Sequence, residues 1–123
     1  MKYSVEMTEK YRQAWNEHTE EIKRNNESRR QEALQCARKL AGMLVERFGA
    51  KKVGLFGSVI HKTRFDKDSD IDIAVEGITP EKYFRAAAEC QSAGFPVDLV
   101  DVATTTQLMK ERISRGTVLY EQK

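Results

Sequence analysis

The sequence predicts an α/β sandwich built on a small mixed sheet, and three observations lead there. Short apolar runs at 53–56, 71–75 and 95–102 have the length and composition of strands. Longer stretches carry apolar residues at three- and four-residue intervals, the period of amphipathic helices. Capping and turn residues then punctuate these segments into the order helix, strand, strand, helix, strand, helix. The first two strands are joined by a loop too short for an ordinary crossover helix, so they are expected antiparallel. A helix precedes the third, which is expected parallel to the second.

Residues 1–27 are rich in charge and contain neither proline nor glycine. Tyr3, Met7, Tyr11, Trp15, His18 and Ile22 form a narrow apolar stripe along this first helix. Two roles fit so thin a stripe. It packs along the edge of the core, or it forms a surface for another chain or a second copy of this one, with Trp15 as the best anchor. Asn25-Asn26-Glu27-Ser28 is expected to break or bend the helix, with Ser28 and Gln31 as a capping box. The chain is thereby divided into an N-terminal helical extension, 1–27, and a domain spanning 28–123.

Leu34, Ala37, Leu40, Ala41, Leu44, Val45 and Phe48 make a broad apolar face, the mark of a core helix, and Gly49 stands where its C-terminal cap belongs. Thr79 and Pro80 start the next helix, which is expected to run to about Ser92 with Gly94 beyond its end. Thr104 and Gln107 repeat the capping pattern ahead of a helix over 108–115. Gly116 ends that helix, and Thr117–Tyr120 is a short final strand or extended tail.

A chain of 123 residues is enough for one domain with a modest core. Its 21 basic and 19 acidic side chains leave a net charge of +2, so no large field favours nucleic acid or a membrane surface. With no long apolar stretch at the N-terminus, a soluble cytoplasmic protein is expected. Cys36 and Cys90 fall in helical patterns and are expected as small core residues in a reducing compartment.

The chemistry concentrates between 53 and 75. An apolar run ends in Gly57-Ser58, a basic polar loop over 60–67 follows, and Asp70-Ile71-Asp72-Ile73 opens the second strand. Residues two apart on a strand share a face, so Asp70 and Asp72 project together while the isoleucines face the core. Like charges about 5 Å apart repel by roughly 3 kcal/mol at an effective dielectric near 20. A divalent cation removes that cost, and hard oxygen ligands beside a Gly-Ser turn suggest magnesium held jointly with a nucleotide. Gly57 permits close approach of the backbone, while Ser58 and nearby amides suit phosphate oxygens. An isolated Asp-x-Asp is more often a solvated acidic loop leading into an ordinary strand. Asp98 adds weight: it lies within the third apolar run, on a face shared with Val100 and Val102, where a lone charge needs a partner.

Other motifs fail. Asp66, Asp68, Asp70 and Asp72 have the spacing of a calcium loop, but Ile71 occupies the glycine position and Gly77 that of the bidentate glutamate. The 53–58 turn lacks the Lys-Ser/Thr of a Walker loop and the third glycine of a dinucleotide fingerprint.

Gly57-Ser58, the following loop, Asp70-Ile71-Asp72 and the later Asp98 together resemble the minimal nucleotidyltransferases (MNT) of the DNA polymerase beta superfamily. The segment Ile113-Ser114-Arg115-Gly116-Thr117-Val118-Leu119-Tyr120 is similar to that family's usual close. The resemblance spans roughly residues 32–121. One departure is the eleven residues between Ser58 and Asp70, one more than the family pattern. The resemblance implies a two-layer nucleotidyltransferase fold, with the N-terminal helix as an addition. It implies two Mg2+ ions held by Asp70, Asp72 and Asp98, ATP as substrate bound at Gly57 and Ser58, and Asp98 as general base. His61, Lys62, Arg64 and Lys67 in the loop are candidates to neutralise phosphate. Family members that modify antibiotics or nucleic acids usually carry a further acceptor-binding domain. The short chain points instead to an acceptor supplied by another protein, as in MntA-like antitoxins paired with HEPN toxins. The implied activity is AMP transfer to a hydroxyl of such a partner. The alternatives are a non-catalytic antitoxin or binding module, and an adenylyltransferase for aminoglycoside-type small molecules.

Overall fold

The computed structural model describes residues 5–123, with side chains from residue 8 onward. Tyr3, expected in the N-terminal stripe, lies outside the described residues, as does the side chain of Met7. Helix α1 (Val5–Phe48) leads into strand β1 (Lys52–Phe56), a 3₁₀ turn at Gly57–Ile60, and β2 (Ile71–Glu76). Helix α2 (Pro80–Cys90), β3 (Val97–Asp101), α3 (Gln107–Ser114) and β4 (Thr117–Glu121) complete the order.

The sheet runs β3-β2-β1-β4. β1 pairs antiparallel with both β2 and β4, and β2 pairs parallel with β3, so the α/β class and the mixed sheet are as expected. Alternation along the strands sends Val53, Leu55, Ile71, Ile73, Val75, Val97 and Leu99 to one face, where they are buried with Ala33, Ala37, Leu40 and Leu44 of α1 and Ala86 and Cys90 of α2. Each fully buried aliphatic side chain of this set contributes about 1.5–3 kcal/mol. Lys52, Gly54, Phe56, Asp72, Ala74 and Asp98 alternate onto the opposite face, over which α3 lies near β1 and β4.

The expected break at 25–28 does not occur. α1 is one helix of 44 residues, because asparagine in a helix costs only a few tenths of a kcal/mol and local side chains outweigh it. Gln31 Nε2 donates to Glu27 Oε1 at 2.9 Å, and Arg30 pairs with Glu27 at 3.1 Å, so Glu27 knits together the turn that was expected to open. These contacts, with Arg30 pulling its carboxylate downward, hold Glu27 below the usual carboxylate range. Gly49 takes φ +75° just past the helix end, where the cap was expected. At α3 the capping oxygen belongs to Thr106, which accepts from the Met109 N–H at 3.2 Å, rather than to Thr104.

The first half of α1 leaves the sheet. From residue 8 to 25 every side chain is exposed except that of Thr19. Tyr11, Trp15 and Ile22 are 64%, 69% and 45% exposed. At helical spacing their stripe continues the line of Ala33, Ala37, Leu40 and Leu44, so the face that covers the sheet runs on uncovered for roughly 25 Å. Among the described residues, no helix is long and apolar enough to cross a membrane. Cys36 and Cys90 are both free thiols.

Candidate active site

Three sequence-distant segments meet at one end of the open sheet face. In the ladder Asp72 stands opposite Phe56 on β1 and opposite Asp98 on β3. Two carboxylates therefore occupy adjacent strands at the same level, on the same side. β2 begins at Ile71, so Asp70 precedes the strand and is exposed, as is Asp98. Asp72 is half-buried, and burial together with the charges of Asp98 and then Asp70 pushes its carboxyl up to about 6. Asp98 sits on the edge strand with access to water, whereas Asp72 is enclosed by strands on both sides.

Gly57 closes the site from β1. Its φ of +76° is a conformation that side chains rarely adopt, and a Cβ there would overlap Asp72 Oδ2. Ser58 follows in the 3₁₀ turn, its carbonyl accepting from the His61 N–H at 3.0 Å. This turn is anchored from outside the sheet. Arg30 of α1 donates from Nε to the Val59 carbonyl at 2.8 Å while Glu27 holds its other arm, and its side chain is only 14% exposed. A charged donor on a backbone carbonyl contributes about 1.5–3 kcal/mol, enough to fix the turn relative to Asp72.

The edge strand β3 is pinned in a similar way. Tyr83 donates its hydroxyl to the Leu99 carbonyl and Gln91 donates to the Val97 carbonyl at 2.9 Å, so α2 satisfies the outward carbonyls on either side of Asp98. Burial, followed by the nearby Asp101 and Asp98 charges, raises the Tyr83 phenol and keeps it a donor.

Sequence reasoning missed two residues. Arg112 of α3 holds its guanidinium 5.6 Å from the centroid of the Phe56 ring, and among the described residues it is the cation that draws Asp72 back downward. Its position on an exposed helical turn gave no signal, because only the fold brings it over β1. The other is Phe65. Read as part of a polar loop, it is buried and pins that loop to the core. Asp66 then caps the loop, its Oδ1 accepting from the Asp68 N–H at 2.9 Å and from the Ser69 hydroxyl. The expected phosphate cations His61, Lys62 and Arg64 are exposed on this loop, and the charge of Lys62 is felt at Glu27.

The donor set suits a hard cation. Asp72 and Asp98 stand on neighbouring strands, and the Asp72 carboxyl, raised by burial and then by the charges of Asp98 and Asp70, bears a cost that a cation would relieve. Among the described residues, no three His, Cys, Asp or Glu side chains already converge as a complete cage.

The sequence model described as polymerase beta, nucleotidyltransferase matches residues 38–123, well over half of the chain. The chain belongs to the polymerase beta nucleotidyltransferase family. Solved structures share this nucleotidyltransferase's fold. A crystal structure of the toxin–antitoxin pair MntA–HepT is 23% identical, with a TM-score of 0.56, over 72% of this chain and 73% of that one. A toxin–antitoxin crystal structure with AMP-PNP is 25% identical, TM-score 0.59, over 70% and 74% of the two chains. A re-refined structure of tri-AMPylated Shewanella oneidensis HEPN toxin in complex with MNT antitoxin is 23% identical, TM-score 0.56, over 73% of each. No curated protein matches the chain. The Gly57-Ser58 turn, Asp70, Asp72 and Asp98 of this nucleotidyltransferase all lie inside the matched region.

Proposed function

We propose that this nucleotidyltransferase moves AMP from ATP to a hydroxyl of a partner protein, and that the partner is a HEPN-type toxin that the modification silences. The observation that carries the reading is the pairing of Asp72 with Asp98 across neighbouring strands, with Gly57 pressed against Asp72. The likeness to toxin–antitoxin structures, one with AMP-PNP and one with an AMPylated HEPN toxin, supports the nucleotide and the partner.

Asp70, Asp72 and Asp98 would hold two Mg2+ ions. When bound, they supply charge stabilisation for the polyphosphate and lower the pKa of the attacking hydroxyl. Gly57 and Ser58 seat the β- and γ-phosphates, and Arg112 stands ready to neutralise a phosphate oxygen. The acceptor oxygen forms a bond to the α-phosphorus as the bond to the β-phosphate oxygen breaks. Pyrophosphate leaves, and the acceptor proton passes to the Asp98 carboxylate. The site's contribution is chiefly positioning and charge compensation.

ATP labelled at the α-phosphate, incubated with Mg2+ and the co-expressed toxin, is expected to label the toxin. An Asp70→Asn/Asp72→Asn double variant is expected to leave it unlabelled. Equal labelling by that variant would refute the assignment.

A second reading has its own observation, the uncovered stripe of Tyr11, Trp15 and Ile22. In it, 1–27 is a docking extension to the 28–123 domain, binding a partner or a second copy, and neutralisation needs no chemistry. Removing residues 1–24 would then abolish neutralisation while the aspartate variants retain it; loss in the aspartate variants alone would reject this reading.

A further inference from the structure

The charges that flank the uncovered stripe of α1 differ in how they are matched. At about 100° per residue, Lys10 and Glu21 lie on one flank of Tyr11, Trp15 and Ile22, and Arg12 and Lys23 lie on the other. Arg12 and Lys23 are already paired within the helix, by Glu9 at 3.1 Å and by Glu20 at 3.5 Å. Lys10 and Glu21 are exposed, and among the described residues neither has an ion-pair partner. One flank of the stripe therefore offers a cation and an anion that the single chain leaves unmatched.

The stripe continues the line of α1 that covers the sheet, so whatever packs on it takes, beyond the sheet's end, the place that the sheet holds beneath Ala33, Ala37, Leu40 and Leu44. A second copy of the helix in that place must run antiparallel to α1, because a parallel one would continue into the sheet. A two-fold axis across antiparallel helices brings like flanks together. Setting Tyr11 against Ile22, and Trp15 against His18, of the second copy centres both contacts between residues 16 and 17. The same alignment brings Lys10 to within about 3 Å along the axis of Glu21 of the second copy, inside the reach of a lysine stem, and the symmetry repeats the pair. On the other flank Arg12 approaches Lys23 of the second copy, but each carries its own carboxylate, Glu9 and Glu20.

We propose that the first half of α1 is a self-association surface, on which two copies of the chain pair as antiparallel helices with Trp15 beside the two-fold axis. Tyr11 and Trp15 carry about 150–250 Å² of surface each, most of it uncovered. With His18 and Ile22, the stripes of two copies bury on the order of 1,000 Å² in all, the lower bound for a specific contact. An interface of that size is transient, so the copies part on dilution and the stability of the dilute domain is untouched. Each Arg30 anchor lies about 20 Å from the axis, which keeps the two carboxylate sites apart. The pairing needs neither nucleotide nor AMP transfer, so it stands or falls separately from the function proposed above.

The test uses the full chain in low salt. Sedimentation equilibrium at about 50 µM is expected to give twice the 14.1 kDa of one chain, falling to one chain on dilution. Trp15 is the only tryptophan, so its emission is expected to move to longer wavelength over the same dilution. Trp15→Ala is expected to stay a single chain. Lys10→Glu and Glu21→Lys each set like charges in opposition twice and are expected to weaken association at least about fivefold, whereas the Lys10→Glu/Glu21→Lys double variant restores it to within about a factor of two. A single-chain mass at the higher concentration overturns the proposal, and if Trp15 then proves to bind a toxin partner, the stripe belongs to that partner instead. A dimer that Trp15→Ala leaves intact, or that dilutes with no change in Trp15 emission, overturns the surface. A double variant as weak as the single ones overturns the antiparallel alignment.

Discussion

Replacing Asp72 with asparagine is expected to make the metal-free protein more stable, although it removes the central carboxylate of the site. The carboxyl is pushed up to about 6 from an ordinary 3.8, with burial as the first cause and the charges of Asp98 and Asp70 next. At about 1.4 kcal/mol per pH unit, that gap is a penalty of roughly 3 kcal/mol on ionised Asp72. Partial access to water screens it, leaving about 1–2 kcal/mol. The sign follows from the raised value. Well below the unfolded value of 3.8 the group is protonated in both folded and unfolded chains, and the fold bears no cost. As pH rises towards 6 the unfolded chain releases its proton first, and stability falls until the folded carboxyl has also ionised. Asparagine, nearly isosteric and never charged, avoids this loss. Urea denaturation in EDTA at pH 7.5 is expected to show Asp72→Asn more stable than wild type by about 1–2 kcal/mol, the gain shrinking steadily between pH 6 and pH 4. Asp98→Asn, at an exposed position, is expected to gain less. A variant no more stable than wild type at pH 7.5, or a gain that persists unchanged at pH 4, would refute the reasoning.

Three further outcomes are expected. Gly57→Ala sets a Cβ against the Asp72 carboxylate at φ +76°, which should cost about 1–3 kcal/mol in thermal or urea unfolding and weaken AMP-PNP binding. Arg30→Ala leaves the Val59 carbonyl without its donor and is expected to cost about 1.5–3 kcal/mol and to lower AMP-PNP affinity by calorimetry. Arg30→Lys, a point charge without the fork that spans Glu27 and Val59, should recover only part of both. Trp15→Ala is expected to leave urea stability within about 0.5 kcal/mol of wild type, because its side chain packs against nothing in the sheet; a larger loss would mean that the helix tip folds back on the domain.

Much of this protein was legible in its sequence, and the failures share a cause. The first three strands showed themselves because short β-rich runs were bounded by turn residues, and the strand directions followed from connection length. Gly57, Asp72 and Asp98, which the fold brings together, stood out because each breaks a local rule: a glycine ending an apolar run, and acids inside strands. The expected break at Asn25–Ser28 failed because weak propensities were outweighed by Glu27, whose partners Arg30 and Gln31 lie one turn on. Phe65 looked like a lone aromatic in a basic loop, and nothing in that loop says that it turns back into the core. Arg112 was illegible for a comparable reason. Its neighbour Phe56 is far away in sequence, and no periodicity connects an exposed helix position with a strand it happens to cross.

The unbroken course of α1 makes it both a ruler and a compass. Whatever grips the tip around Trp15 is set at a fixed distance and bearing from the Arg30 anchor, because each intervening residue adds about 1.5 Å and 100°. Inserting one alanine near Asn25 would turn the tip by about a quarter of a circle, whereas inserting seven would restore its bearing to within about 20° and lengthen the arm by about 10 Å. A spacing series of this kind would separate a partner that senses orientation from one that merely needs to be tethered.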